Sequence, residues 1–278
     1  MNREEQPTIH VIFRACDVVN AVNNNPRPFM LDKTTLVQLS FESLLDTLRD
    51  VPHTIHILGD KLSAHLQHYF RVRGVSVTNG NFGNEESIRQ ALRMGAGIAD
   101  NDWVYFCEDD YIHVPHALQY IHRFISTPEQ WMDHTKRLYT WSSFIDLRKR
   151  DLVVHPTDYP DRYNGKYRRF SLIFHSNDCH WRQITDTTFT FLLKGSTLRK
   201  HMPLLMRSAK GANDRLLSKK LYGRLSFFGK VLAVSPMPGL ATHMHRDTMS
   251  PLVDWNDRVQ TLRLRLEQEQ LLPATGSV

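Results

Sequence analysis

Three consecutive carboxylates, Glu108, Asp109 and Asp110, stand in the stretch "WVYFCEDDYIHVPHAL" (103–118). Adjacent like charges repel, so a chain that places them together either caps a turn or holds something positive with them. A hard divalent cation takes oxygen ligands, and Mg2+ or Mn2+ carried by a nucleotide diphosphate needs only one or two protein carboxylates. The competing reading is helix capping by Asp109 or Asp110 ahead of "VPHAL", where Pro115 suits a first helical position. Spacing alone leaves both open.

Two further features bear on the choice. "GLATHMHRDTMSP" (239–251) sets His243 and His245 two residues apart, on one face if the segment is extended. Imidazole tolerates Mn2+ and rarely serves Mg2+, while a hydrogen-bonded structural histidine is the plainer reading in a chain with 15 histidines. In "KGANDRLLSKKL" (210–221), Asp214 follows a glycine-containing turn and opens a helix. It reads either as a first-turn acid or as a base that takes the proton of an acceptor hydroxyl.

The elements that must position these residues follow an α/β rhythm. "TIHVIFRA" (8–15), "HTIHILGD" (53–60), "GVSVTN" (74–79) and "DWVYFCEDD" (102–110) read as strands. Between them lie helices over 32–50, with Asp32 as N-cap, over 61–73, and over 83–99, whose first turn is acidic. Alternation of this kind predicts right-handed βαβ units, a parallel sheet and helices on both faces. Ligands of such sheets bind beyond the carboxyl ends of the strands. Arg14 and Asp17, Asp60, Asn79 and Asn81, and Glu108 to Asp110 all fall at those ends, which predicts one shared cleft.

The second half is less regular. A strand is read at 137–147, a strand or helix start and then a helix at 185–206, a helix at 214–223 and a strand at 229–236. "DRVQTLRLRLEQEQLL" (257–272) is an amphipathic helix with Leu262, Leu264, Leu266 and Leu271, expected to dock on the body or a partner because its charges are mixed. No linker or repeat interrupts the chain. One domain over 1–278 is therefore expected, with 8–110 and 111–256 as its halves and 257–278 as helix and tail.

Composition narrows the class. In 278 residues, 41% hydrophobic, no stretch approaches the roughly 18–20 apolar residues of a membrane span. "MNREEQPTIH" lacks the apolar core of a signal peptide, so a cytoplasmic location is expected. Cys16, Cys107 and Cys179 are too scattered for a disulfide framework or a cysteine-based zinc site. The net charge of +6 favours anionic partners without selecting one, and the basic stretches 161–169 and 207–224 read as solvated surface.

Taken together, "FCEDDY", "GANDRLLSKKL" and "ATHMHRDTMSP" in this order resemble the GT-A-fold nucleotide-sugar glycosyltransferases, especially the bacterial type of family 2. The resemblance covers most of the chain in layout and a few short segments in detail. It implies that Asp110 ligates the metal while Glu108 and Asp109 face the ribose and diphosphate. It implies that His243, with His245 in reserve, completes the metal or diphosphate site. Asp214 becomes the base, although Asn213–Asp214 replaces the family's usual Glu-Asp pair. Arg14, Asp60 and the loop "NGNFGN" (79–84), with Asn84, sit where such enzymes hold base and ribose. Mn2+ or Mg2+ and a nucleotide-sugar donor, a UDP-sugar foremost, are the implied cofactors. A glycan or lipid-linked glycan is the implied acceptor, with polysaccharide biosynthesis as setting and peripheral membrane contact compatible with the basic stretches.

The acceptor region itself says less. "CHWRQITDTTFTFLL" (179–193) offers Trp181 for stacking on a sugar ring, with Phe189 and Phe191 read as core. A sugar-phosphate nucleotidyltransferase is the nearest rival, but its glycine-rich loop after strand one is missing from "RACDVVNAVNNNPRP" (14–28). A non-catalytic polyanion binder would not need acids at the sheet's carboxyl edge, and no nucleic-acid motif is present.

Overall fold

The computed structural model describes residues 6–17, 27–127, 150–163, 171–223 and 229–272. The expected strand at 137–147 and all but the first three residues of the basic stretch 161–169 lie outside them.

The first half follows the sequence reading closely. Strands β1 (Ile9–Ala15), β2 (His53–Asp60), β3 (Ser76–Gly80) and β4 (Trp103–Glu108) run parallel in the order β3-β2-β1-β4. Side chains alternate between two cores, as the two-residue strand period demands. Val11, Phe13, Tyr105 and Cys107 face one, with Leu36, Phe41, Phe70 and Trp255. Ile12, Val104 and Phe106 face the other, with Ile88, Leu92, Phe191 and Leu198. Helices α1 (Lys33–Thr47) and α2 (Ala64–Val72) cover the first face and α3 (Gly83–Ala96) the second. Asp32 does cap α1, accepting from the Thr35 amide at 2.9 Å.

After β4 the chain departs from expectation. The acidic triplet does not run into a helix. A short strand β5 (Tyr111–His113) comes first, and α4 (Ala117–Ser126) starts only after His116, so Pro115 precedes the helix without occupying its first position. Strand β5 pairs antiparallel with β11 (Ala241–His243), opposing Tyr111 to His243. That short pairing brings two segments remote in sequence to the carboxyl edge of β4.

The large sheet continues through β9 (Phe191–Lys194), β6 (Asp151–Val154), β10 (Val231–Met237), β8 (His180–Ile184) and β7 (Ile173–His175). Only β8 and β9 run against the other seven strands, so the sheet is mostly parallel and flanked by helices, the α/β class expected. Helix α5 (Gly195–Ala209) follows β9 directly, and Gly195 permits that junction because a Cβ there would lie 2.4 Å from the Ala99 carbonyl oxygen. Helix α6 (Asp214–Lys220) comes next.

The closing helix α7 (Trp255–Gln268) docks on the body as predicted, burying Trp255, Val259, Leu262 and Leu266. Leu264 is the exception, facing solvent. Arg258 and Arg265 donate to Asp46 of α1 at 2.8 and 2.6 Å, and Arg258 also bonds the His113 carbonyl at 2.9 Å. No helix among the described residues is long and apolar enough to cross a membrane.

Trp181 is core and cannot stack on a sugar. Its ring is fully buried, lies 3.9 Å from that of Phe124 at 17°, and donates its indole N–H to Ser176 Oγ at 3.0 Å. Trp181→Ala should therefore lower the unfolding free energy by about 3–5 kcal/mol. Urea denaturation measures this; an unchanged midpoint would contradict the packing. Phe189 and Phe191 are buried, as expected.

Candidate active site

Each of the three acids has its own cation, drawn from a different element. Parallel pairing of β1 with β4 sets Arg14 opposite Glu108, and the guanidinium donates to Glu108 Oε1 at 3.2 Å. Lys33, the first residue of α1, donates to Asp109 Oδ1 at 2.6 Å, while the Cys16 amide donates to Oδ2 at 2.7 Å. His243 on β11 lies with Nε2 3.1 Å from Asp110 Oδ2. Its ring is held by Tyr111, stacked at 5.0 Å and 2°.

The electrostatics differ along the triplet. Burial pushes Glu108 upward against the pull of Arg14, and Asp109 upward against Lys33, with neighbouring acids adding to both. Asp110 goes the other way. Burial opposes its ionisation, yet the charge and hydrogen bond of His243, helped by Lys33, hold it below the ordinary carboxylate range. His243 is raised in return: burial lowers it, but Asp110 outweighs that.

Asp110 Oδ1 is buried and accepts no hydrogen bond among the described residues. An ionised carboxylate oxygen without a donor is costly unless something positive completes it. Among the described residues no group of three or more His, Cys, Asp or Glu is arranged to hold a metal ion. The donor set of Asp110 and His243 nevertheless fits a divalent cation whose remaining ligands come from a diphosphate and water, and the imidazole suits Mn2+.

Asp214 opens α6, whose N-cap is Asn213, accepting from the Leu216 amide at 3.1 Å. The cap role thus belongs to Asn213, leaving Asp214 free of it. Its Oδ1 is buried and has no hydrogen-bond partner among the described residues. Burial first, then the charges of Glu108 and Asp186, push its pKa up to about 7, against the lowering influence of His243. Glu108 of the triplet and its neighbour His243 thus both act on the Asp214 charge.

The residues that the resemblance assigns to base and ribose form a second group. Arg14 bonds Asn84 Oδ1 at 2.8 Å and Ser87 Oγ at 3.1 Å as well as Glu108. Asp60, at the end of β2, accepts from the amides of Phe82 and Gly83 at 2.7 and 3.0 Å, so both oxygens serve the loop that leads into α3. Gly83 takes φ +72, a conformation that favours glycine. The structure thus unites Arg14, Asn84 and Glu108, and separately Asp109, Asp110 and His243. Asp60 acts on the loop's backbone. His245 lies with its ring 5.8 Å from that of His243.

Sequence reasoning missed Lys33, Thr190 and Asp186. Thr190 Oγ1 lies 3.3 Å from Glu108 Oε2 and accepts from the Glu108 amide at 3.2 Å. Nothing local marks these residues, because each acts across a long loop closure. Arg162, in the basic stretch 161–169 read as solvated surface, is instead largely buried and engaged with the Thr157 carbonyl at 2.9 Å and Asp186 at 3.4 Å.

No family model and no curated protein matches the sequence. Solved structures do match. One is a galactosyltransferase, LgtC, in complex with donor and acceptor sugar analogues: 13% identical, covering 95% of this chain and 100% of that one, TM-score 0.46. Glucosyl-3-phosphoglycerate synthase from Mycobacterium tuberculosis, in complex with Mn2+ and UDP, is 12% identical over 97% of this chain and 82% of its own, TM-score 0.41. A nucleotidyl transferase from Methanothermobacter is 10% identical over 92% and 98%, TM-score 0.44. The matched structures thus include both glycosyltransferases and a nucleotidyltransferase.

Proposed function

We propose that the chain is a metal-dependent glycosyltransferase that moves a sugar from a nucleoside diphosphate sugar, foremost a UDP-sugar, to the hydroxyl of a glycan or lipid-linked glycan. The observation that carries this is Asp214: a buried carboxyl oxygen without a hydrogen-bond partner among the described residues, with a pKa near neutrality and within the influence of Glu108 and His243. Base catalysis works best when the catalytic pKa lies near the working pH. A sugar hydroxyl must lose its proton to attack, and Asp214 is suited to take it. The nucleophile of the rival reaction, nucleotidyl transfer to a sugar phosphate, is a phosphate oxygen, already ionised at neutral pH, and gains little from such a base.

The other residues divide the remaining work. Arg14, Asn84 and Glu108 present polar groups toward the nucleotide, and Asp60 holds the backbone of the loop beside them. Residues 8–110 form the donor half in this reading, and 111–256 the acceptor half. Asp110 and His243 would hold Mn2+ or Mg2+, which neutralises charge on a departing diphosphate. Single in-line displacement with Asp214 as base inverts the anomeric carbon.

A thermal-shift panel of UDP, GDP and CDP with and without Mn2+ tests the reading. One of them, UDP foremost, should stabilise the protein more with Mn2+ than without it, by about 2.7 kcal/mol at about 100 times Kd of the metal-bound form. No response to any nucleotide from folded protein would remove the donor site.

A further inference from the structure

Lys33 is an unusual residue for its position. It is the first residue of α1, where a cation opposes the helix dipole, and the first turn contains no acid to offset it. Its side chain is only 14% exposed, and its 2.6 Å contact with Asp109 lies beside the metal-ligating candidate Asp110. A buried cation at a helix N-terminus conflicts with the local rules, and such conflicts concentrate at functional sites.

The contact has a consequence for ligand counting. With Lys33 on Oδ1 and the Cys16 amide on Oδ2, both oxygens of Asp109 are occupied. Glu108 is engaged in the same way, by Arg14 on Oε1 and Thr190 on Oε2. Of three adjacent acids, only Asp110 keeps an oxygen without a partner among the described residues. A triplet that looks like a strong cation trap therefore offers a single carboxylate and one imidazole. Divalent cations bound by so few protein ligands need phosphate oxygens to complete their shell.

We propose that Lys33 is a positioning residue that keeps Asp109 out of metal coordination, so that the site takes up a divalent cation only together with a nucleoside diphosphate. This rests on the glycosyltransferase reading of the same site. It adds a device that prevents idle occupation by free metal and couples metal entry to donor binding.

Free Mn2+ measured by electron paramagnetic resonance, without nucleotide and then with UDP, GDP or CDP, tests it. Wild-type protein should bind bare Mn2+ weakly and bind it well with the nucleotide. Lys33→Met removes one positive charge a few ångströms from the cation and releases a second carboxylate, so bare Mn2+ should bind about tenfold tighter or more. Lys33→Gln should do the same, and Lys33→Arg should behave as wild type. Lys33→Met combined with Asp109→Asn restores the net charge and removes the released carboxylate, and should return bare-metal affinity to the wild-type level. A merely structural tie between α1 and the strand end would lower thermal stability in Lys33→Met without moving metal affinity.

Folded Lys33→Met and Lys33→Gln variants that bind bare Mn2+ no better than wild type would overturn the proposal. So would wild-type protein that binds bare Mn2+ as tightly as with nucleotide, a result independent of any variant's folding. Asp110→Ala separates the two levels. Nucleotide-dependent Mn2+ uptake that survives it removes the metal assignment itself; uptake lost there but unmoved by the Lys33 variants removes only the role of Lys33.

Discussion

Replacing Asp214 by Asn should lower the turnover of sugar transfer by roughly 10²–10⁴-fold, the range that a positioned general base supplies. Nucleotide affinity should stay near wild type, because the proposed role of Asp214 is toward the acceptor hydroxyl. In wild-type protein the rate should climb as pH rises toward about 7 and level off above it, as the carboxylate ionises. The variant should lose that limb of the profile. Product analysis by NMR gives a second readout: a retained anomeric configuration would take Asp214 out of the base role.

The same substitution should raise stability, with a defined pH dependence. The Asp214 carboxyl ionises near 3.8 in the unfolded chain and at about 7 in the folded one. Below the first value it is neutral in both states and costs nothing. Between the two, the unfolded chain ionises while the folded one does not, so stability drains away as pH rises. Above the second value the full cost of a buried carboxylate beside Glu108 and Asp186 is in place. Asn escapes that cost. Asp214→Asn should match wild type near pH 4 and exceed it at pH 8 by on the order of 2 kcal/mol, after discounting for solvent screening. Equal denaturation midpoints at pH 8 would show that the folded site does not disfavour the charge.

Asp110→Ala is expected to abolish the Mn2+-dependent part of nucleotide binding. His243→Ala should weaken it by at least about 10–100-fold, the scale of losses seen when even an outer partner of a metal ligand is removed. Nucleotide binding that needs no metal, through Arg14 and Asn84, should persist in both. The hydrogen bond between His243 Nε2 and Asp110 Oδ2 adds a pH signature. His243 sits above its ordinary value because Asp110 favours the imidazolium, and a cation held by both residues must displace that proton. Metal affinity should therefore fall as pH drops through the raised His243 value, with proton release measurable by titration calorimetry in buffers of different ionisation enthalpy. Affinity that is flat across pH 5.5–8.5, to within roughly a factor of two, would leave His243 outside the metal site.

Much of this was legible before any fold was seen. The four parallel strands and their helices announce themselves through short-range patterns: β-branched runs of strand length, leucines at helical spacing, and Asp32 before α1. Such signals are local, and the buried strands obeyed them. The acidic triplet, Asp214 and His243 were legible for a different reason. Their side chains are chemically distinctive wherever they stand, and a sheet of this kind gathers strand ends on one edge.

Other features depended on partners far away in sequence. Strands β5, β6, β7 and β11 are three or four residues long, too short to carry a period, and exist because a neighbouring strand completes their hydrogen bonds. Trp181 looked available for a sugar because aromatic type says nothing of burial; its stacking on Phe124 removed it. The sequence by itself determined which charges the protein carries, where strands must end, and that acids would gather at the carboxyl edge of the sheet. Only the tertiary structure decided which acid remained open. Arg14, Lys33 and His243 come from a strand, a helix start and a late short strand, and their pairing with Glu108, Asp109 and Asp110 depends on distances that no spacing in the chain encodes.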